Sequence, residues 1–97
     1  MALATLSHVR FNPGQVVMTQ GVNDVVQRGV INPRQYLLRH LRGDWGDLCE
    51  EDRATNEAAL KHGDRLMSSY PITATLKLWI ITECDRSVTT LLLPEEY

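Results

Sequence analysis

The stretch LKLWIITECDRSVTTLLL, residues 76–93, has the pattern of two β-strands joined by a short turn. Residues 76–82 are apolar on both sides through LWII, which is typical of a central strand, and residues 87–93 are rich in leucine and β-branched side chains. The polar ECDR between them predicts a hairpin turn. Residues 65–72 also alternate like a strand, and Pro71 suits an edge position because proline has no N–H to donate. Three consecutive strands predict an antiparallel meander.

Upstream of the meander, the pattern predicts one more strand and a first helix. Residues 15–19 form a short β-branched run that is typical of a strand. The valines that follow lie at helical spacing, so we expect a helix over residues 22–28, with Asn23 or Asp24 near its N-terminus. The N-terminal strand can then join the sheet of the meander.

Two further helices are predicted over residues 33–42 and 48–62. Asn32 before a proline favours a helix start, because asparagine can cap free N–H groups and proline is pre-shaped for the first turn. We expect Asp47 to cap the next helix and Gly63 to end it in a left-handed conformation. Within the helix over residues 33–42, side chains at the i, i+3 and i+4 spacing predict a buried stripe of Tyr36, Leu37, His40 and Leu41.

These elements predict an α+β fold in one domain. An antiparallel sheet of about four strands, made of the N-terminal strand and the meander, is expected to carry two to three helices on one face. The domain is expected to span residues 11–97, and residues 1–10 form an N-terminal extension. The side chains expected to be buried beneath the helices are Trp79, Ile81, Leu91 and Leu93.

The stretch GDWGDLCEED, residues 43–52, contains five carboxylates and a tryptophan, which raises the question of a metal site. Its acids are better explained as a turn and the start of a helix, where the helix dipole favours negative charge. The spacing does not match a calcium loop, and consecutive helix residues diverge in direction. We therefore predict no metal site, and the absence of G-x-G-x-x-G and G-K-[ST] patterns predicts no nucleotide cofactor. We expect Trp45 to be buried.

Composition and charge limit the class of protein. Ninety-seven residues, of which 43% are hydrophobic, predict one compact globule. The formal net charge of −2 is too small for a polyanion and disfavours a domain that wraps phosphate backbones. The charges are nevertheless segregated: residues 28–42 hold four arginines and no acid, whereas residues 44–57 hold six acids and one arginine. Such blocks are either solvated helix faces or docking surfaces for a partner.

The sequence also suggests where the protein works and in what assembly. No stretch reaches the roughly 18 apolar residues needed to cross a bilayer, and the N-terminus lacks the pattern of a signal peptide. We therefore expect a cytoplasmic protein with no membrane partner. A homodimer, formed through an edge strand or an apolar sheet face, would add apolar contact that so small a domain lacks.

Three phrases of the chain resemble a family of small bacterial proteins: GDWGDLCEED (43–52), NEAALKHGDRLMSSY (56–70) and KLWIITECDRSVTTLLLPEEY (77–97). The family carries labels such as plasmid-related protein and type I restriction endonuclease subunit. The resemblance covers residues 11–97 and implies an origin on mobile DNA, such as a plasmid or an integron gene cassette, without implying a mechanism. Cys84 stands where the family has a small, alanine-like residue. The methylation and helicase motifs of a restriction subunit proper are absent.

Three functions are compatible with these features. The leading hypothesis is a non-catalytic interaction or accessory module with an unknown protein partner, and its candidate docking residues are Arg39, Arg42, Asp44, Trp45 and Asp52. The alternative is a small nuclease-like hydrolase, in which carboxylates beside an arginine act as general acid, general base and anion clamp. Its candidate catalytic residues are Glu83, Asp85, Arg86 and His40. A third hypothesis, nucleic-acid binding, would use Arg28, Arg34, Arg39 and Arg42, but their helical spacing does not align Arg34 with the last two.

Overall fold

A computed structural model describes residues 9–97 of the chain. Most of the predicted N-terminal extension lies outside the described residues. Arg10 is included, and its contacts belong to the domain: its N–H donates to the carbonyl of Leu41 at 2.8 Å, and its guanidinium pairs with Glu57. The strands are β1 (Gln15–Met18), β2 (Leu66–Pro71), β3 (Lys77–Thr82) and β4 (Val88–Leu92); the helices are α1 (Gln20–Gln27), α2 (Pro33–Leu41), α3 (Glu50–His62) and a 3₁₀ helix (Pro94–Glu96).

The architecture is α+β, which confirms the predicted fold class. The four strands form one sheet in the order β1-β4-β3-β2, so β2 is an edge strand and β3 is central, as expected. The β2–β3 and β3–β4 pairs are antiparallel and form the meander. β1 runs parallel to β4, so the sheet is mixed and not wholly antiparallel. Within residues 9–97, no helix has the length and apolar character that crossing a bilayer requires.

The first helix begins earlier than predicted because another residue caps it. The Thr19 hydroxyl accepts a hydrogen bond from the N–H of Val22 at 3.4 Å, which makes Thr19 the N-cap of α1. The Glu96 carboxylate, from the far end of the chain, accepts from the N–H of Gly21 at 2.9 Å. Asn23 and Asp24 therefore lie inside the helix and do not cap it.

The third helix begins at Glu50, with Cys49 as its N-cap, so the predicted capping role of Asp47 is wrong. Asp47 is instead held by the sheet, because its N–H donates to the carbonyl of Ser69 at 2.7 Å. The acids of residues 50–52 do occupy the first turn, where the helix dipole favours them. The helix ends at Gly63, which has φ of 74° as predicted.

The strand register decides which side chains lie beneath the helices. Trp79 lies opposite Leu92 across the β3–β4 hairpin, so Trp79 and Ile81 share a face with Leu92 and not with Leu91 or Leu93. The prediction that Trp79 is buried beneath the helices is therefore wrong; Ile81 is buried as predicted, with 3% of its surface exposed, but on the other face of the sheet from Leu91 and Leu93. Alternation along one strand shows which of its residues share a face, but the pairing between strands cannot be read from it.

The main core lies between the helices and the face of the sheet that points away from Trp79. Val22 of α1 and Ile31, just before α2, pack against strand residues of that face. The strand residues of this cluster are Tyr70, Leu78, Ile80, Leu91 and Leu93. A second, smaller cluster joins α3 to β2 through Ala59, Leu66 and Trp45. α1 and α2 thus cover one face of the sheet, and α3 packs at its β2 edge.

Candidate functional site

His40 lies in a buried chain of polar side chains that joins α2 to three strands. Its Nδ1 is 2.5 Å from the hydroxyl oxygen of Ser68, and its Nε2 is 2.9 Å from that of Thr82. The Thr82 hydroxyl is in turn 2.7 Å from the Thr89 hydroxyl, which donates to the carbonyl of Pro13 at 2.7 Å. The side chains of His40, Ser68, Thr82 and Thr89 have no solvent exposure.

The last acceptor of this chain sets the direction of every hydrogen bond in it. A carbonyl oxygen can only accept, so the Thr89 hydroxyl donates to Pro13 and must accept from Thr82. The Thr82 hydroxyl then accepts from Nε2–H of His40, which leaves Nδ1 as the acceptor of the Ser68 hydroxyl proton. In the neutral imidazole, the bonds therefore select the tautomer with the proton on Nε2.

The electrostatic environment keeps His40 neutral. Burial and, to a smaller extent, the nearby positive charge of Arg86 together lower the pKa of His40 from 6.5 to about 3. Ser68 and His40 have the contact of a nucleophile with its base, but neither side chain can be reached from solvent. A general base must touch the proton that it removes, so His40 has no access to a substrate in this conformation.

Arg86 is used within the fold at the β3–β4 turn. Its guanidinium donates to the carbonyl of Ala59 in α3 at 3.1 Å, to that of Asp64 at 2.6 Å and to that of Glu83 at 3.1 Å. Its backbone has φ of 61°, in the left-handed region that L-residues rarely adopt, and hairpin turns usually place glycine there. The bonds to the Ala59 carbonyl in the last turn of α3 and to the Asp64 carbonyl just beyond the helix explain why an arginine occupies this strained position.

The carboxylates of the predicted catalytic turn point elsewhere. Oε1 of Glu83 is 3.8 Å from Nε of Arg65, and Oδ1 of Asp85 accepts from the N–H of Ser87 at 3.0 Å. Neither carboxylate forms an ion pair or hydrogen bond with the guanidinium of Arg86, and both ring nitrogens of His40 are taken by hydroxyl groups. The structure therefore does not bring the four predicted catalytic side chains together.

Asp44 and Arg39 hold the turn between α2 and α3. The Asp44 carboxylate accepts from Nε of Arg39 at 2.7 Å and from the N–H of Gly46 at 3.2 Å, and the bond from Arg39 is the main reason why the pKa of Asp44 is lowered. The guanidinium carbon of Arg39 also lies 4.6 Å from the ring centre of Tyr70, whose hydroxyl donates to the Asp44 carbonyl. Arg39 and Asp44 thus neutralise each other and shape the turn.

Trp45 is buried, as predicted, and so is not available as an exposed docking residue. Only 4% of its surface is exposed, and its Nε1–H donates to Glu57 at 3.0 Å. Gly46 follows with φ of 79°, and a Cβ there would come within 2.1 Å of the Ser69 carbonyl oxygen. Glycine is required here because the chain runs directly against β2.

Besides Arg53 and Glu57, seven further charged residues of the two segregated blocks are exposed, and we call them the basic group and the acidic group. The basic group comprises Arg28, Arg34 and Arg42. The acidic group comprises Asp47, Glu50, Glu51 and Asp52. Within residues 9–97, no side chain of either group takes part in an ion pair or a side-chain hydrogen bond. Of the predicted docking residues, Arg42 and Asp52 therefore present free charges, whereas Arg39 and Asp44 are paired with each other.

One cleft, of about 240 Å³, lies beside the acidic group at the edge of the sheet. Its floor is apolar, with Met67 and Ile81, and Arg65 forms part of its wall. The Arg65 guanidinium donates to the hydroxyl of Tyr97 at 2.8 Å. No single stretch of sequence predicts this cleft, because α3, β2, β3 and the C-terminus each contribute to it. Among the described residues, no three His, Cys, Asp or Glu side chains lie close enough together to hold a metal ion.

Comparison with protein-family models, with curated proteins and with solved structures finds no match for this chain.

Proposed function

We propose that the protein is a non-catalytic interaction module that docks onto a partner protein through its basic and acidic groups. The resemblance to proteins of plasmids and other mobile elements adds the proposal that it is an accessory protein carried on mobile DNA. In this proposal the docking residues on the basic side are Arg34 and Arg42, and those on the acidic side are Asp47 and Asp52.

The observation that carries the proposal is the contrast between two sets of ionisable side chains. The residues that would perform chemistry are used inside the fold: His40 is buried with both ring nitrogens bonded, and Arg86 is bonded to main-chain carbonyls. The seven side chains of the basic and acidic groups are exposed and make no internal pair among residues 9–97. Their charges are therefore available to a partner.

Segregated charges of this kind affect recognition in a known way. Opposite charges across an interface speed up the encounter and fix the relative orientation of the two proteins, and like charges exclude wrong partners. A partner for this protein would carry an acidic surface facing Arg34 and Arg42 and a basic surface facing the start of α3. Binding through exposed charges is weakened by salt, because ions screen the attraction beyond roughly 10 Å at 0.1 M.

Charge reversal tests the proposal. We expect the double variant Arg34→Glu/Arg42→Glu to capture at least about tenfold less partner from host lysate than the wild-type protein does. The reason is that two attractive contacts become repulsive. Quantitative mass spectrometry of the captured proteins measures the loss. Arg39 is left intact, because its bonds to Asp44 hold a turn of the fold.

The matched control is Lys61→Glu/Lys77→Glu, which makes the same change in net charge at two exposed lysines outside the basic group. We expect this control to retain the partner. Equal retention by both double variants would contradict the proposal. Salt-sensitive retention of the wild type on DNA would favour nucleic-acid binding instead. Cleavage of DNA or RNA that disappears in Glu83→Gln/Asp85→Asn would favour the hydrolase.

A further inference from the structure

The two edges of the sheet are treated very differently. At the β2 edge, the outward N–H and carbonyl groups of Met67 and Ser69 all have partners. The N–H and carbonyl of Met67 bond to the side-chain amide of Asn56 at 3.2 and 2.7 Å. The N–H and carbonyl of Ser69 bond to the main chain of Trp45 and Asp47 at 3.1 and 2.7 Å. Pro71 ends the row without an N–H.

The β1 edge has no such cover among residues 9–97. The N–H groups of Gln15 and Thr19 donate to carbonyls beside and within β4, each at 3.0 Å, so alternate residues of β1 face that strand. The N–H and carbonyl groups of Val16 and Met18 therefore point away from the sheet. No described residue bonds to them. An edge of this kind is ready to pair with another strand.

The side chains of this edge are also apolar and exposed. Val16 is 41% exposed and Met18 is 42% exposed, and they are two of the four large hydrophobic residues that stand out on the described surface. They lie on the helix-bearing face of the sheet, in register with Thr89 and Leu91. Proteins usually protect edge strands with lysine, proline or a bulge, and residues 15–18 contain no such device.

We propose that β1 pairs antiparallel with β1 of a second copy of this chain, about a two-fold axis through Val17. Val16 then lies opposite Met18 of the second copy, and each such pair exchanges two main-chain hydrogen bonds. The two pairs supply four bonds and join the two sheets into one of eight strands. The exposed Val16 and Met18 side chains of both copies come together on the helix-bearing face.

The chemistry of the edge favours a second copy over a partner of another kind. Residues 11–23 contain no charged side chain, so the two β1 strands bring no like charges of their own together, and the Glu96 carboxylate at the end of the strand is bonded to Thr19 and Gly21. A strand of a different protein could not be recognised here by its charge, because residues 11–23 offer no side chain of opposite charge. A two-fold pairing also uses the same patch on both subunits and leaves neither β1 edge open. The dimer contact involves no residue of the basic or acidic group. The proposed dimer therefore goes beyond the proposed function, and the two are tested independently.

Molecular mass in solution tests the dimer. We expect size-exclusion chromatography with light-scattering detection to give a wild-type mass that rises with protein concentration. The mass should approach twice the chain mass of 11.0 kDa. Val16→Lys should weaken association by at least about tenfold, because it places a charge where apolar side chains meet. Val30→Lys is the matched control, since Val30 is 45% exposed and lies outside β1. It should associate like the wild type.

A second variant and a folding check keep the outcome clear. Met18→Pro removes one outward N–H from each copy, and so two of the four new hydrogen bonds, without touching the bonds to β4. It should also weaken association, while circular dichroism shows that the monomers remain folded. A wild-type mass of 11.0 kDa at every concentration would overturn the proposal, as would equal association of Val16→Lys and Val30→Lys.

Discussion

His40 illustrates how one buried polar residue can organise a core. Each of its ring nitrogens has one hydroxyl partner, and the chain of bonds ends on a carbonyl of the segment before β1. α2 is thereby tied to β2, β3 and β4 by directed bonds as well as by apolar packing. Such a network is favourable when every member is satisfied, and it becomes costly when one member gains a charge.

This network makes stability depend on pH. The pKa of His40 is about 3 in the folded protein and near 6.5 in the unfolded chain, so the unfolded state binds more protons as pH falls. The buried, neutral His40 contributes its full stabilisation of the folded state above pH 6.5, the pKa of the unfolded chain. This contribution is lost as the pH falls towards 3. We expect the free energy of unfolding to fall by about 2 kcal/mol between pH 7 and pH 5. Urea denaturation at the two pH values measures the fall.

A pair of histidine variants isolates the source of this pH dependence. His40→Gln should remove most of the fall, because glutamine can donate and accept without titrating. His62→Gln, at an exposed site, should leave the fall in place. Both variants are compared by the difference between the two pH values, so a general loss of stability does not confuse the result. A fall that persists in His40→Gln would rule out the buried imidazole as its cause.

At the scale of elements, the edge strand β2 is completed by groups that are not strands. The Asn56 amide of α3 bonds to the main chain of Met67 as a neighbouring strand would. The turn that precedes α3 bonds to Ser69 in the same way. α3 and its turn thus protect one edge of the sheet, and their positions are fixed by main-chain hydrogen bonds as well as by packing.

Removing the Asn56 amide should expose this edge. We expect Asn56→Ala to lower the free energy of unfolding by about 2 kcal/mol, because the N–H and carbonyl of Met67 lose their partners. Urea denaturation measures the loss. The amide proton of Met67 should also exchange with solvent faster than in the wild type. Thr55→Ala is the control, since Thr55 is exposed and its hydroxyl bonds only within its own helix. Equal stability of the two variants would show that the amide contributes nothing.

At the scale of the whole molecule, the C-terminal 3₁₀ helix is hydrogen-bonded to the start of α1. The Glu96 carboxylate accepts from the Thr19 hydroxyl at 2.5 Å, from the N–H of Gly21 at 2.9 Å and from the N–H of Leu93 at 2.9 Å. It joins the end of the chain to the start of α1. The bond from Thr19 is the main reason why the pKa of Glu96 is lowered.

This closing contact leads to a test with two neighbouring acids. We expect Glu96→Ala to lower the free energy of unfolding by about 1 kcal/mol, because the first turn of α1 loses an acceptor for its free N–H groups. Glu95→Ala removes the same charge from an exposed position with no hydrogen bond among the described residues, and should be neutral. Thermal unfolding of both variants measures the difference. A Glu95→Ala variant as unstable as Glu96→Ala would point to net charge as the cause.

Prediction from the sequence worked for local features and failed where distant residues meet. The helix over residues 33–42, the glycine end of α3 and the central position of β3 follow from neighbours in the chain, and each is observed. α1 begins earlier than predicted because Thr19, and not Asn23 or Asp24, caps it, and Glu96, 75 positions from Gly21 in the sequence, accepts a further N–H of its first turn. The charge blocks were visible in the sequence, but the pairing of Arg39 with Asp44 was not.

The linear order of residues accounts for the α+β class, the meander and the acids at the start of α3, because propensity, alternation and capping act over a few neighbouring positions. The strand register, the parallel placement of β1, the hydroxyl partners of His40 and the contrast between the two sheet edges arise only when the chain is packed. Each of these depends on groups brought together from different elements. Which atoms meet across such distances is decided by the packing of the whole chain and cannot be read from any one segment.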